Sequence, residues 1–466
     1  MIADWAHMAK VRYSLLARGL FTVGLLLCAV GLPGQEIKKS PVVKVRDPLA
    51  TRYFRPNPDR VRAMVRTGLQ RVTGKKTAAE AWRTLVTPRD VIGIKVNAHS
   101  GALSGTRPAV VAAVVEGLLK SGIPARRIII WDEHRRDLKR AGYEKLAKKF
   151  GVQLAGARDH GFDDWHPFRM PSFRGKLWVD DHLFGKTEFS GDSHLSKLVT
   201  GKITAIICIH SPISIPGKGA SGHLKELALA SVDNTRRFNF SHRYYPHYRD
   251  AIVGICDRVA FSHTLDAQKI LAGLKPAEEN PRAAARALAL FPLGSDPASF
   301  YFEPHSDQAI SPGLAFRLAH ERAVKTKQPQ KVRILTKALA WSQLVLPDGR
   351  TVLDHNAWQD KMTTHTKLRF HITDALLCQY HQGQESRPDY AAAINELWFS
   401  PDLLALDVLS HQLLEKLRRS ANLAKGINPD VLHRSASRNL LGNIYPEDMA
   451  LQSITMPAAG PRENRE

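Results

Sequence analysis

The chain has 466 residues, 44% hydrophobic and 24% charged, which supplies apolar material for a substantial core and excludes a disordered composition. Net charge is +23, from 67 Lys and Arg against 44 Asp and Glu, but the basic residues come in short pairs such as Arg135-Arg136 and Lys148-Lys149, without a long basic tail. No zinc-finger spacing, basic zipper region or aromatic-basic strand motif accompanies that charge. Nucleic acid is therefore not the expected partner, whereas a small anion or an acidic membrane or envelope face is.

Lys10, Arg12 and Arg18 precede the apolar residues 19–32, and the small Ala29 and Gly31 lie near their end. This is the form of a secretory signal, and the run is short for a membrane span. There is no paired-Arg motif, and Leu27 before Cys28 is bulky where a lipoprotein needs a small residue. Residues 1–34 are expected to be a signal peptide or an uncleaved anchor, with the body exported to the periplasm or cell envelope. No later stretch is long and uncharged enough to span a bilayer.

Residues 35–87 read as an extended entry punctuated by Pro41, Pro48, Pro56 and Pro58, then helices at about 59–71, capped by Asp59, and 78–85. From residue 88 the pattern changes. Strand 91–96 ends at Asn97, helix 108–119 follows, strand 127–131 ends at Asp132, and a helix at 137–150 leads to a short strand at 152–154. Strands alternating with helices at this spacing predict an α/β fold: a mostly parallel sheet flanked by helices, with Rossmann-like layering and loop and helical insertions. Residues 156–202 lack periodicity and read as a loop excursion. A buried strand at 203–209 leads through a Pro/Gly loop into a helix at 223–230, followed by helical character at 248–261. An insertion is expected around 264–330, strands at 331–335, 341–346 and 367–372, an amphipathic helix at 403–417 with Asp402 as its cap, and a flexible tail over 451–466. The domain proper is expected to span 88–450.

Of Cys28, Cys208, Cys256 and Cys378, none forms a CxxC pair, so an iron–sulfur cluster or structural zinc knot is not expected. Cys208 reads as core, and one disulfide among the last three stays open. Lys95 and Asn97 alternate with Ile94 and Val96 and so share a face at a strand end, a grip for carboxylate or phosphate. The Gly-rich loop 217–222 could present backbone N–H groups to an anion, although it matches neither a phosphate-loop nor a dinucleotide pattern. Asp132, Asp233, Asp374 and Asp407 are the carboxylates that could hold Mg2+ or Ca2+, with helix caps and turns as their plainer roles. Among the 20 His, His210, His223, His242, His247, His355, His365 and His371 are candidates for metal binding or proton transfer. There is no HExxH motif, and Ser221 lies outside any GxSxG elbow.

Several stretches, in order, resemble the domain-of-unknown-function 362 family over roughly residues 88–450. They are Gly93-Ile94-Lys95-Val96-Asn97; Gly222-His223-Leu224-Lys225-Glu226 with Asn234 and Arg237-Phe238; residues 367–376 with Asp374; residues 400–407 ending at Asp407; and Leu441-Gly442 near the end. The resemblance implies an α/β domain, often exported and often fused to ferredoxin-like modules, of which this chain has none. Lys95, Asn97, Lys225, Asp374 and Asp407 match the family pattern. Ile213-Ser214-Ile215 stands where Lys and His are usual, and Glu226 where Asn is usual. The expectation is thus an exported protein that binds a small anionic ligand or divalent metal at its sheet ends. Lys95, Asp132 and Lys225 are the candidates for catalysis; Lys95, Asn97, Lys225, Asn234 and Arg237 for the ligand; and Asp132, Asp374 and Asp407 for a metal. The alternative is a noncatalytic envelope-associated protein that uses its basic surface.

Overall fold

The apolar run at Ile92–Val96 founds the parallel core, and the other strands assemble on both of its flanks. A computed structural model describes residues 39–169, 192–215, 219–235, 245–261, 367–383, 386–426 and 442–458, together with 429, 432–434 and 436. Its strands are β1 (Ser40–Arg46), β2 (Thr51–Arg52), β3 (Arg55–Pro56), β4 (Ile92–Val96), β5 (Ile128–Asp132), β6 (Gln153–Gly156), β7 (Phe162–Arg169), β8 (Asp192–Ser196), β9 (Ala205–His210), β10 (Ile213–Ile215), β11 (Gly219–Ser221), β12 (Leu368–Gln379), β13 (Ala391–Ser400) and β14 (Met449–Thr455). The helices are α1 (Pro58–Thr73), α2 (Ala78–Leu85), α3 (Gly101–Ser104), α4 (Pro108–Lys120), α5 (Arg135–Arg140), α6 (Tyr143–Phe150), α7 (His223–Ala230), α8 (Tyr245–Phe261) and α9 (Leu403–Ser420).

The main sheet runs β14-β1-β13-β12-β9-β4-β5-β6, with β10 and β11 attached beside β12. From β12 to β6 every pair is parallel. Strand β13 is antiparallel to both β12 and β1, and β1 is parallel to β14. This is the expected α/β layering. Successive strands β4, β5 and β6 step one way, and β9 then joins the opposite flank of β4. The strand order therefore reverses between β4 and β9, the place where open α/β sheets form a crevice at their carboxyl ends.

Side-chain alternation sorts the strands onto two faces. Ile94, Ile130 and Ile207 pack with Met64, Leu69, Trp82, Val114 and Leu146 beneath α1, α2, α4 and α6. On the opposite face Ile129, Trp131, Ile206 and Cys208 pack with Leu224 and Leu227 of α7 and Ile252 and Cys256 of α8. Helix α9 covers the β12–β13 end through Ala405, Leu406 and Leu409. Gly68 permits α1 to lie on β13, because a Cβ there would sit 2.1 Å from the Phe399 ring.

Several local expectations are corrected. The cap of α1 is Asn57, whose side chain accepts from Asp59 and Arg60 N–H, with Pro58 supplying the first turn; Asp59 lies inside that turn. The expected helix at 137–150 is two helices, broken at Gly142 with φ 87°. The excursion at 156–202 contains the antiparallel pair β7–β8. The expected tail begins too early, because residues 449–455 form β14 in seven-residue register with β1. The same pairing draws part of the segment at 35–87 into the sheet. Cys208, Cys256 and Cys378 are buried and no disulfide joins them, and Cys208 is a core residue. No helix among the described residues is long and apolar enough to cross a membrane. Residues 1–34, the insertion around 264–330, the strands expected at 331–346, and Arg237, His242, His355 and His365 lie outside the described residues, while His247 falls within α8.

Candidate functional site at the strand-order reversal

The carboxyl end of β4 delivers Lys95, whose Nζ lies 2.9 Å from Asp132 Oδ1 at the end of β5 and donates to Val96 O at 2.6 Å. Asp132 also accepts the N–H of Ala98 and of Glu133, each at 2.8 Å. Its carboxylate is thereby committed to one cation and two backbone donors. Both side chains are almost wholly buried. Burial opposes the Lys95 charge, but Asp132 first and Glu226 next outweigh it, so the Lys95 pKa stands above its ordinary value and the group stays cationic. Asn97 has a turn role: its Oδ1 accepts Ser100 N–H at 3.2 Å, and its backbone exchanges bonds with Thr106.

Asp374 lies elsewhere, on β12. Arg107 Nη1 sits 3.0 Å from its Oδ1, and the Arg107 backbone N–H donates to its Oδ2 at 3.0 Å. Arg107 itself reaches Ser211 Oγ and the carbonyls of Leu103, Asp374 and Leu377, which pins the start of α4 to β12. Asp407, on α9, accepts the N–H of His223 at 2.6 Å and of Leu224 at 2.9 Å. The helix N-terminus that the sequence offers to an external anion is thus occupied by an internal carboxylate. Burial pushes the Asp407 carboxyl up to about 7 against those two bonds.

The three metal candidates accordingly answer to three separate partners. No group of three or more His, Cys, Asp or Glu among the described residues could hold a metal ion. Asp233 pairs with His194 at 3.1 Å, and Asp402 caps α9 as expected. Asn234 has φ 47° just beyond α7.

A second set of polar groups gathers beside Lys95, on the sheet face under α7. Lys225 is buried on α7, and the adjacent Glu226 accepts from Ser221 Oγ. Burial pushes the Glu226 pKa up, but the pull of His210, Lys95, Ser221 and Lys225 outweighs it and leaves it lowered. His210, at the end of β9, is held by Ser221 O at 3.0 Å. Its ring lies 5.7 Å from that of His223, which lies 5.8 Å from that of His371 on β12. His223 Nε2 meets Thr373 Oγ1 at 3.1 Å, while His210 Nδ1, His223 Nδ1 and both nitrogens of His371 have no hydrogen-bond partner among the described residues. Burial lowers His210 to about 4 and His371 to about 3, so these rings are neutral at physiological pH.

Sequence spacing brings forward the strand-end residues Lys95, Asn97 and Asp132. It misses Arg107, whose only signal is a cation at a helix start before Pro108, and it registers Glu226 only as a departure from a pattern. Position in the register reveals the rest: Lys95, Cys208 and His371 are aligned across β4, β9 and β12, and Thr373 is paired with His210.

These features define an open-sheet α/β protein with a polar cluster at the reversal of its strand order. No protein-family model matches the chain, and no curated protein is similar to it. A Thermotoga maritima protein solved by crystallography in a structural-genomics programme aligns with 79% of this chain, at 10% identity and a TM-score of 0.31. The aligned chain spans 60% of that protein's length, a distant and partial match.

Proposed function

We propose that this is an exported protein of the domain-of-unknown-function 362 kind that binds a small anionic ligand in the crevice between the ends of β4 and β9. The observation that carries the reading is the meeting of two buried lysines, Lys95 of β4 and Lys225 of α7, around Glu226 and His210 at the strand-order reversal. Lysines are rarely buried without a purpose that repays their desolvation. Two of them on different elements, at the place where sheets of this class bind ligands, fit an anion better than a divalent cation. The separate commitments of Asp132, Asp374 and Asp407 point the same way. Glu226 and His210 supply an ionised acceptor and a neutral imidazole within the same cluster, the pair that proton transfer on a bound anion would use.

The test is native mass spectrometry of the full chain purified without chelators, with thermal-shift titrations of phosphate, pyrophosphate and a dicarboxylate. A copurifying small molecule, or stabilisation by one of these anions that Lys225→Met abolishes, is the expected result. An apo mass unmoved by any of the three removes the reading. Fractionation of cells expressing the full chain tests export independently, through the loss of residues 1–34 from the mature protein.

A further inference from the structure

Strands β2 and β3 close a two-residue hairpin, pairing Thr51 with Pro56 and Arg52 with Arg55 and leaving Tyr53 and Phe54 as its tip. Both tip residues have positive φ, 49° and 58°. A two-residue turn of this hand is ordinarily built from Asn-Gly or Asp-Gly, because the left-handed region disfavours bulky side chains. Here two aromatic residues occupy it, and neither is covered: Tyr53 is 83% exposed and Phe54 47%. Leu49, also exposed, adjoins them in the chain. Backbone held in a disfavoured region with nothing packed on it points to a role outside the fold.

The base of the tip breaks a second local rule. Arg52 and Arg55 are exposed and stand directly opposite each other in the register, where like charges repel. The carboxylates nearby are already matched. Buried Asp47 lies 3.3 Å from Arg60, Asp59 pairs with Arg62, and Glu396 stands opposite Arg46 and accepts from Trp398 Nε1. Neither Arg52 nor Arg55 has a carboxylate partner among the described residues, and Arg52 lies 5.3 Å from the centroid of the Tyr53 ring. We infer that this hairpin is a binding tip for an anionic bilayer surface, in which Tyr53 and Phe54 enter the interface and lipid phosphates bridge Arg52 and Arg55. An anion between the two guanidinium groups turns their repulsion into a paired site, and aromatic rings favour the level of the headgroups. The area available argues against a folded partner. Two rings and a leucine offer roughly a few hundred Å2, whereas a specific protein interface takes about 800 Å2 from each side. A bilayer requires no complementary shape, and the net charge of +23 draws the molecule to the same surface. The inference stands apart from the ligand reading, since no residue of the polar cluster belongs to this hairpin.

Cosedimentation of the full chain with vesicles of phosphatidylglycerol and phosphatidylcholine, compared with phosphatidylcholine alone, tests it. The wild type is expected to prefer the anionic vesicles and, in their presence, to show slowed amide exchange across residues 51–56. Tyr53→Asn combined with Phe54→Gly installs the residues that the turn favours. It should raise the urea midpoint while weakening vesicle binding about tenfold or more. Arg52→Gln and Arg55→Gln should each weaken binding about fivefold, the loss of one cation at the surface. A wild type indifferent to anionic vesicles overturns the inference and leaves a protein as the partner of the tip. So does binding that the Asn-Gly variant leaves unchanged, which assigns it to the dispersed basic surface or to residues 1–34. Exchange at 51–56 that the vesicles do not alter also overturns it, as does a lowered urea midpoint in the Asn-Gly variant, which would assign the aromatic residues to the fold.

Discussion

Asp407 closes the N-terminus of α7 from another helix, accepting the N–H of His223 at 2.6 Å across 184 residues of sequence. The approach is close enough that a Cβ on Gly222 would lie 2.5 Å from the Asp407 carboxyl carbon. Gly222 and Asp407 therefore form one device: a residue without a side chain admits a carboxylate that answers two orphan backbone donors. Gly222→Ala and Asp407→Ala are each expected to lower stability, by about 1–3 kcal/mol. The pair should couple, because a methyl group at position 222 meets little obstruction once the carboxylate is gone. Urea midpoints of the two single variants and the double variant read this directly, and strict additivity would contradict it.

A second prediction concerns Arg107 and Asp374, which lie 267 residues apart and are both almost wholly buried. Removing one partner of such a pair leaves the other charge stranded, at a cost of about 3–5 kcal/mol. Arg107→Met should be the worse variant, since it also removes the four guanidinium hydrogen bonds to Ser211 Oγ and to the carbonyls of Leu103, Asp374 and Leu377. Asp374→Asn keeps an acceptor for the Arg107 N–H and should cost less. Equal losses in denaturant unfolding would show that the side-chain hydrogen bonds to β12 contribute little.

These two pairs also mark how far the sequence could be read. The parallel core was legible because β4, β5 and β9 are apolar runs punctuated by turn residues, and Lys95, Asn97 and Asp132 sit where such runs end. Strand β13 was not, because Ala391-Ala392-Ala393 has no strand preference and becomes β through pairing with β12 and β1. Strand β14 reads as a tail because it is mostly exposed and owes its conformation to one neighbour 409 positions earlier. Within the site, local pattern located the carboxylates but not their partners. The partner of Asp374 comes from a helix start, and the partners of Asp407 are backbone donors, which no side-chain motif announces.

Acid should unfold this protein through its histidines. His210 and His371 are lowered to about 4 and about 3, and His223 lies well below its ordinary value, all chiefly through burial. Between those values and about 6.5 the unfolded chain binds protons that the native protein refuses, so stability falls as pH drops below 6.5. Asp407 and Asp402 work in the opposite sense, since burial raises both carboxyls, Asp407 to about 7, and each takes up its proton more readily in the native state than in the unfolded chain. Three imidazoles outweigh these two carboxyls. Urea midpoints are therefore expected to decline steadily from pH 7 to pH 5. His371→Leu should shrink that decline, because neither ring nitrogen has a hydrogen bond to lose. A pH dependence unchanged in His371→Leu would rule out this assignment.

Lys367 gives the sharpest pH signature. It is 1% exposed at the start of β12, and its Nζ donates to Val199 O at 2.7 Å. Burial alone lowers it to about 7. Below that pH the folded protein carries the full cost of a desolvated ammonium. Between about 7 and 10.5 the unfolded chain holds a proton that the native chain has released, so the cost fades as pH rises. Lys367→Met removes the ammonium and also the bond to Val199 O, worth about 1 kcal/mol. The variant should be more stable than the wild type at pH 6, by on the order of 1–2 kcal/mol after that loss. By pH 10 the wild-type amine is neutral and keeps its hydrogen bond, so the order should reverse. Urea unfolding of both proteins from pH 6 to pH 10 checks the crossing. Parallel curves that never meet would mean that Lys367 stays protonated throughout and that burial does not govern its titration.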